Sequence, residues 1–479
     1  MKNIKIYLLS LVLIIVSFSC DDTLDINKDP LAATSADPNV VLPYVIVQYS
    51  ARSVSELGTR ITDVSQQMSA NFNSPLNGNV SVFLTGNAWS MMYALALGNL
   101  KQVEEDARAA GATSNNVAAI AEILSAMVFY DITSIWENGP YTQALDGQNY
   151  PAPIFDNQET ILRGVVAKLD DAMMLIDNIP TEGVFNVATG DMIYGGDMTM
   201  WRKFANSLKI RVLMMIRNRD TSVDSELVAA LSQPVIDSND ETAMLIYSGQ
   251  AGAQNAYHNI VTSFFGPDNQ SQQVHGPSEV MYDLVTGNND PRASLLFYDP
   301  NNGGGNEPGT FPDPNTAVYS NNIIRPDFPD VWFTPAEISF YRAELALKGV
   351  TTEDAQAMFD QGMSQVLSFY GQDIPCADGN VVDGPCLRLS TTEIDSYINS
   401  LGAVTENSIY EQQYLEALLR PVLAWNTVRR NAYPELPTPP ASSITTYLKR
   451  FTYPPDEVSS NPNTPANEAT DTPMWFEKQ

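Results

Sequence analysis

Three sets of residues in this chain are equipped for chemistry: 56 Asp and Glu, two histidines and three cysteines. Two acids flanking a glycosidic bond can hydrolyse it, one protonating the leaving oxygen while the other acts as base or nucleophile. Adjacent pairs such as Asp21-Asp22, Glu104-Glu105 and Asp170-Asp171 say little about two groups that must straddle a bond, and the plain reading of each is a solvated face. His258 and His275 belong to no HExxH or related ligand spacing, and the chain has no GxSxG elbow, Walker loop or GxGxxG fingerprint. A histidine-dependent triad would need one of these two, and each reads better as a hydrogen-bonding loop residue. The inventory suits a binder better than a catalyst.

Cys20 follows Lys2 and Lys5, an apolar run from Ile6 to Ile15, and then Ser17-Phe18-Ser19. That order is an n-region, a short h-region and a small residue before a cleavage point. A bilayer span takes about 20 apolar residues, so the run is too short to cross. The pattern predicts a bacterial lipoprotein signal over residues 1–19, with Ser17 where the usual motif has Leu, and acyl chains on the Cys20 sulfur. More than one buried chain makes a stable anchor. Residues 20–39 are polar and proline-punctuated, and are expected to form a lipidated tether.

With Cys20 lipidated, Cys376 and Cys386 remain, bracketing a short, turn-rich loop. An oxidising compartment favours a disulfide between them. Free thiols or metal ligands are the competing reading, and zinc is weakened by the lack of a nearby histidine or a second cysteine pair. The stretch from Asp378 to Gly384 offers oxygen ligands in a tight turn but misses the calcium-hand spacing. No cofactor and no metal are predicted, a structural calcium being left open.

These groups need a scaffold. With 44% hydrophobic and 9% aromatic residues the 479-residue chain has ample material for a core. Its net charge of −30 comes without any Lys/Arg cluster, which excludes nucleic acid as a partner. Most segments carry a helical period. Over Thr351–Tyr370 the residues Ala355, Met358, Phe359, Gly362, Met363, Val366, Leu367 and Tyr370 fall on one face. Thr351 with Asp354 is placed to cap that helix, and Gly371 to end it. Trp201–Ile216 repeats the pattern. Val117–Trp136 is apolar on nearly every side, interrupted by Glu122 and Asp131, and predicts a fully buried helix. Asn87–Ala109, Gln158–Asp177, Ala336–Lys348 and Glu406–Arg430 are further helical stretches. Ala336–Lys348 with Thr352–Tyr370 reads as an antiparallel hairpin similar to a tetratricopeptide unit.

From about 248 to 335 Gly, Pro, Asn and aromatic residues take over. A stretch so long and so unpatterned is functional or disordered. Its rings, among them Tyr257, Tyr282, Phe297, Phe311 and Phe328, argue for ordered loops laid on the helices, a common place for a binding site.

Five segments together resemble the SusD/RagB-type outer-membrane lipoproteins of the Bacteroidetes, in the SusD-like branch. They are Leu24-Asp-Ile-Asn-Lys-Asp-Pro30, Asp131–Tyr141 (DITSIWENGPY), Tyr194–Leu208 (YGGDMTMWRKFANSL), Trp425–Pro434 (WNTVRRNAYP), and Lys449–Pro454 (KRFTYP) with Ser460–Asn463. The resemblance implies a mostly α fold, in which four tetratricopeptide-like helix pairs form a scaffold carrying irregular loop insertions. It makes 40–479 a single domain with a binding-loop insertion at about 248–335. It implies a non-enzymatic, surface-exposed lipoprotein that sits as a lid on a SusC-like TonB-dependent transporter and delivers oligosaccharides to it. The alternatives are a peptide-binding RagB-like lid or, further off, a helical-toroid glycosidase. Trp201, Asn206, Trp425 and Arg429, within the shared motifs, are expected to be scaffold.

Sugar rings present flat C–H faces, so aromatic platforms beside amide and carboxylate hydrogen bonds recognise them in water. The early loops and the middle insertion supply the candidate ligand-binding residues Phe72, Asn73, Trp89, Phe264, Phe265, Tyr298 and Trp332.

Overall fold

The computed structural model describes residues 37–70, 81–273, 275–308, 310, 313–376, 385–439, 444 and 446–477. Its helices of eight or more residues begin with α1 (Pro38–Arg52), α2 (Val82–Ser90), α3 (Gly98–Ala110), α4 (Asn115–Trp136), α5 (Gln158–Asp177), α6 (Met198–Arg217) and α7 (Asp224–Leu231). The irregular region contributes α8 (Ala256–Phe264) and α9 (Glu279–Gly287). The series closes with α10 (Pro335–Leu347), α11 (Ala355–Ser368), α12 (Thr391–Ser400), α13 (Glu406–Glu416) and α14 (Pro421–Asn431). The strands are short and pair antiparallel: β1 (Met68–Ala70) with β3 (His275–Pro277), β2 (Ala243–Leu245) with β6 (Asp330–Phe333), and β4 (Phe297–Tyr298) with β5 (Val318–Tyr319).

Side-chain caps start many of the helices where the sequence places Asn, Asp, Ser or Thr. Asn157 accepts from Thr160 N at 2.9 Å to open α5, and Asp197 accepts from Thr199 N at 2.8 Å to open α6. Asp354 opens α11, while Ser390 and Thr405 form capping boxes at α12 and α13. Helices then pack as neighbours in sequence: α3 with α4, α5 with α6, α10 with α11, and α13 with α14. In the second pair Arg202 meets Asp177 at 2.7 Å and Lys209 meets Asp170 at 2.9 Å, so the two helices run antiparallel. The helix-pair scaffold implied by the resemblance is the fold observed.

The structure differs from the periodicity in several places. The stretch 87–109 is broken by a wider turn over Met91–Leu97. Ala88, Trp89, Met91, Met92, Ala96 and Leu97 are all buried, a set that no single 3.6-residue stripe can turn inward. Residues 406–430 divide at Pro421, which has no N–H to give and starts α14 instead. Gly371 ends no helix. It lies in the turn Phe369–Asp373, where an added Cβ would come within 2.8 Å of Leu389. The region 248–335 is less irregular than expected, holding α8, α9 and four of the six strands (β3, β4, β5 and β6).

Helix α4 is long and apolar enough to cross a membrane, yet almost all of it is buried inside the protein. Its exceptions are paired: Glu122 is gripped by Arg108, and Asp131 accepts from Tyr49 Oη at 2.5 Å. A helix ending in the core must also satisfy its last four carbonyls there. Thr133 O accepts from Gln158 Nε2 at 2.8 Å, and Ser134 O from an Arg429 guanidinium nitrogen at 2.7 Å. Ile135 O accepts from Phe451 N at 2.9 Å, and Trp136 O from Asn138 N at 3.0 Å. Trp136 Nε1 donates in turn to Thr452 O at 3.1 Å. Arg429 stacks on Trp425 at 3.7 Å from the ring centroid, and Trp425 Nε1 reaches Leu448 O at 2.9 Å. Trp201 donates to Asp191 at 2.7 Å, and Asn206 to Ala230 O at 2.9 Å. The motif residues expected to be scaffold are scaffold.

Arg429→Ala strands Ser134 O and leaves a cavity against Trp425. We expect it to cost about 4 kcal/mol of stability, read as a lowered urea midpoint.

Candidate ligand-binding site

The irregular region is attached through a wholly buried segment, Ser65–Ser69. Gln66 Nε2 donates to Pro437 O at 2.8 Å and Gln67 Nε2 to Tyr414 O at 2.6 Å, while Tyr319 Oη donates to Gln67 O at 2.7 Å. On this base the loops are held by Asn and Asp side chains that bond backbone, doing locally what a sheet ladder does elsewhere. Asn269 donates to His275 O and Tyr319 O at 3.0 and 2.8 Å and accepts from His275 N at 2.9 Å. Asp299 accepts from Gly303 N at 2.8 Å and from Tyr282 Oη at 2.8 Å. Burial pushes the Asp299 carboxyl up, but those donors outweigh it and hold it below the usual carboxylate range. Asp268 is depressed in the same way, with burial opposed by Ser271 and Asn321.

Rings stand out from this frame. Phe264 is 78% exposed at the end of α8, with Phe265 beside it at 6.4 Å between centroids. Tyr298 is 40% exposed on β4, next to a tilted ring cluster in which half-buried Phe297 meets half-buried Tyr282 at 5.2 Å and buried Tyr319 at 5.7 Å. Phe83, on α2, is also exposed, and it was absent from the sequence candidates. Its signal was its spacing from Trp89: six residues along a helix turn one ring away from the face of the other. Helices α2 and α8 both pack on the turn Ser53–Gly58, which brings the elements bearing Phe83 and Phe264 together.

Two candidates are corrected. Trp89 is only 8% exposed, with Tyr93 at 4.7 Å, Trp136 at 5.0 Å and Phe155 at 6.0 Å between ring centroids. Only its edge borders a groove of about 340 Å³ with Tyr93, Pro140 and Asn461. Trp332 is likewise 8% exposed, because β6 turns it against the core, and its Nε1 donates to Asp330 at 2.9 Å. Neither ring is free to serve as a platform. Phe72, Asn73 and Cys20 lie outside the described residues, as does the acidic loop 377–384.

Cys376 and Cys386 are joined as a disulfide with Cα atoms 6.4 Å apart. Among the described residues no group of three or more His, Cys, Asp or Glu is arranged to hold a metal. His275 is buried on β3 and bonds Asn269 through its backbone, while its ring makes no hydrogen bond: burial, with the Arg60 guanidinium adding to it, pushes its pKa down to about 4. Of the adjacent acids, Asp170 is engaged by Lys209 and Glu104 by Lys168 at 3.3 Å.

Helix pairs that carry a loop face with outward rings define a ligand-presenting scaffold. A family model described as "Starch-binding associating with outer membrane", SusD-like, matches residues 34–454, and the chain belongs to that family. Its members are non-catalytic binding proteins, and this chain is not an enzyme. Among solved structures, a SusD-like protein of the Bacteroidetes matches with TM-score 0.78 and 20% identity, over 93% of this chain and 100% of that one. A SusD-like protein from Bacteroides thetaiotaomicron matches with TM-score 0.74 and 20% identity, over 92% and 99%. A chitin-binding SusD homologue from Flavobacterium johnsoniae matches with TM-score 0.72 and 18% identity, over 91% and 98%. A search of curated proteins finds no match.

Removing Trp89 empties a packed aromatic cluster, so Trp89→Ala should lose about 4 kcal/mol, whereas Phe264→Ala should stay within about 0.5 kcal/mol of the parent. Parallel thermal melts of the two variants check this contrast.

Proposed function

We propose that this protein binds oligosaccharides without cleaving them and delivers them to a SusC-like TonB-dependent transporter, as a surface-exposed lipoprotein of the outer membrane. The observation that carries the reading is the set of outward rings Phe264, Phe265 and Tyr298 on a family scaffold built for binding. Exposed rings on a frame fixed by Asx hydrogen bonds lose little entropy on contact, which suits the C–H faces of sugars. That the Flavobacterium johnsoniae homologue is chitin-binding supports a glycan over other ligands. Residues 1–19 act as the signal, Cys20 carries the lipid, and 20–39 tether a domain running from 40 to 479.

At about 1 kcal/mol per ring contact, two or three contacts less the ordering cost give about millimolar affinity. Such weak binding suffices when the transporter is held close by, because effective concentration replaces affinity.

Calorimetric titration with chito- and malto-oligosaccharides should show binding that weakens about fivefold in Phe264→Ala and again in Tyr298→Ala. Peptide binding with no response to any glycan would sink the proposal in favour of a peptide lid. Separately, Cys20→Ala should move the protein from the membrane pellet to the soluble fraction. The intact mass of the parent should show acyl groups on Cys20.

A further inference from the structure

The groove of about 340 Å³ beside Trp89 takes no part in the glycan reading. Its floor is the edge of Trp89 with Tyr93 and Ala94, from α2 and the wider turn that follows it. One wall is the loop bearing Pro140, Pro151 and Pro153, and the other is the short helix Pro455–Ser460, which brings Glu457. The two walls are tied together. Asn461 Nδ2 donates to Pro153 O at 3.0 Å and Asn463 Nδ2 to Ala152 O at 2.8 Å. On the floor, Tyr93 Oη donates to Pro140 O at 2.9 Å. A groove fixed by its own hydrogen bonds gives up little entropy when it is filled.

Two polar groups in this groove stand without the partners their kind usually has. Trp89 is 8% exposed, yet among the described residues its Nε1 has no hydrogen-bond partner. The other buried tryptophans, Trp136, Trp201, Trp332 and Trp425, each donate to an oxygen. The Trp89 Nε1 is not sealed from solvent either, and the edge of the ring opens on this groove. The second group is acidic. Glu457 Oε1 accepts from Asn461 Nδ2 at 3.0 Å, but among the described residues neither Glu457 nor the adjacent Asp456 has an ion-pair partner. Burial first, and the Glu457 carboxylate second, hold the Tyr93 hydroxyl well above its ordinary value, so the acid acts on the floor of the groove.

A sugar stacks on ring faces, and Trp89 offers only an edge. An anionic lipid surface is repelled by the acidic rim. A polyproline II segment answers each feature. It has no internal hydrogen bonds, so its carbonyls are free to accept, and its rings fit between aromatic and proline side chains. We propose that this groove docks an extended, proline-rich segment of a partner polypeptide, one carbonyl accepting from Trp89 Nε1 and a Lys or Arg side chain pairing with Glu457.

The test is calorimetry on the purified protein with three synthetic peptides: hexaproline ending in arginine, hexaproline ending in glutamate, and a glycine–serine peptide ending in arginine. The first should bind one-to-one, with the other two each at least about tenfold weaker. Glu457→Gln should weaken the arginine peptide about fivefold while leaving the melting temperature unchanged. Ala94→Trp, at an exposed position on the floor, should block the groove in a protein that melts normally. Phe264→Ala should leave peptide binding as it is. No saturation by the arginine peptide at about 5 mM would overturn the proposal. So would equal binding of the glutamate peptide, displacement of the arginine peptide by chito-oligosaccharides, or peptide binding undisturbed in both groove variants.

Discussion

The carboxyl end of α4 lies inside the protein, and four backbone oxygens there must find donors without help from water. Glu137 N and Gln158 serve the first of them, and Arg429, Phe451 and Asn138 serve the other three. Meeting that demand ties α5, α14 and the segment around Phe451 to one point. The motifs shared with SusD-like proteins converge on it: the Asp131–Tyr141 segment carries the carbonyls, Trp425–Pro434 brings the guanidinium, and Lys449–Pro454 brings the backbone. Arg429 suits the task because its planar fork can serve several carbonyls at once while lying flat on Trp425.

With the helices so fixed, the loop face can dispense with long strands. Ser65–Ser69 anchors it to the scaffold, and Asp268, Asn269 and Asp299 satisfy its turns from within. Buried polar groups that are fully paired specify one arrangement, whereas apolar packing alone tolerates several. The outward rings of Phe264 and Tyr298 therefore project from a stiff support even though the chain around them has little regular structure.

Much of this could be read from the residues. Helices with a clean 3.6-residue period and an Asp, Asn, Ser or Thr at the front, such as Gln158–Asp177 and the helix behind Asp354, lie where the pattern places them. Helix α1 is missing from the pattern because Pro43 sits inside it. The rings were harder. Trp89 and Trp332 are as aromatic as Phe264 and Tyr298, and tertiary packing decides which face inward; for Trp89 the deciding partners, Trp136 and Phe155, are far away in sequence. The family resemblance supplied the architecture, but it gave no means of sorting core rings from exposed ones.

The hydrogen bond from Trp136 to Thr452 spans 316 positions. The end of the central helix is therefore closed by a partner that the chain reaches only 316 positions later. Contacts of such high sequence separation form slowly.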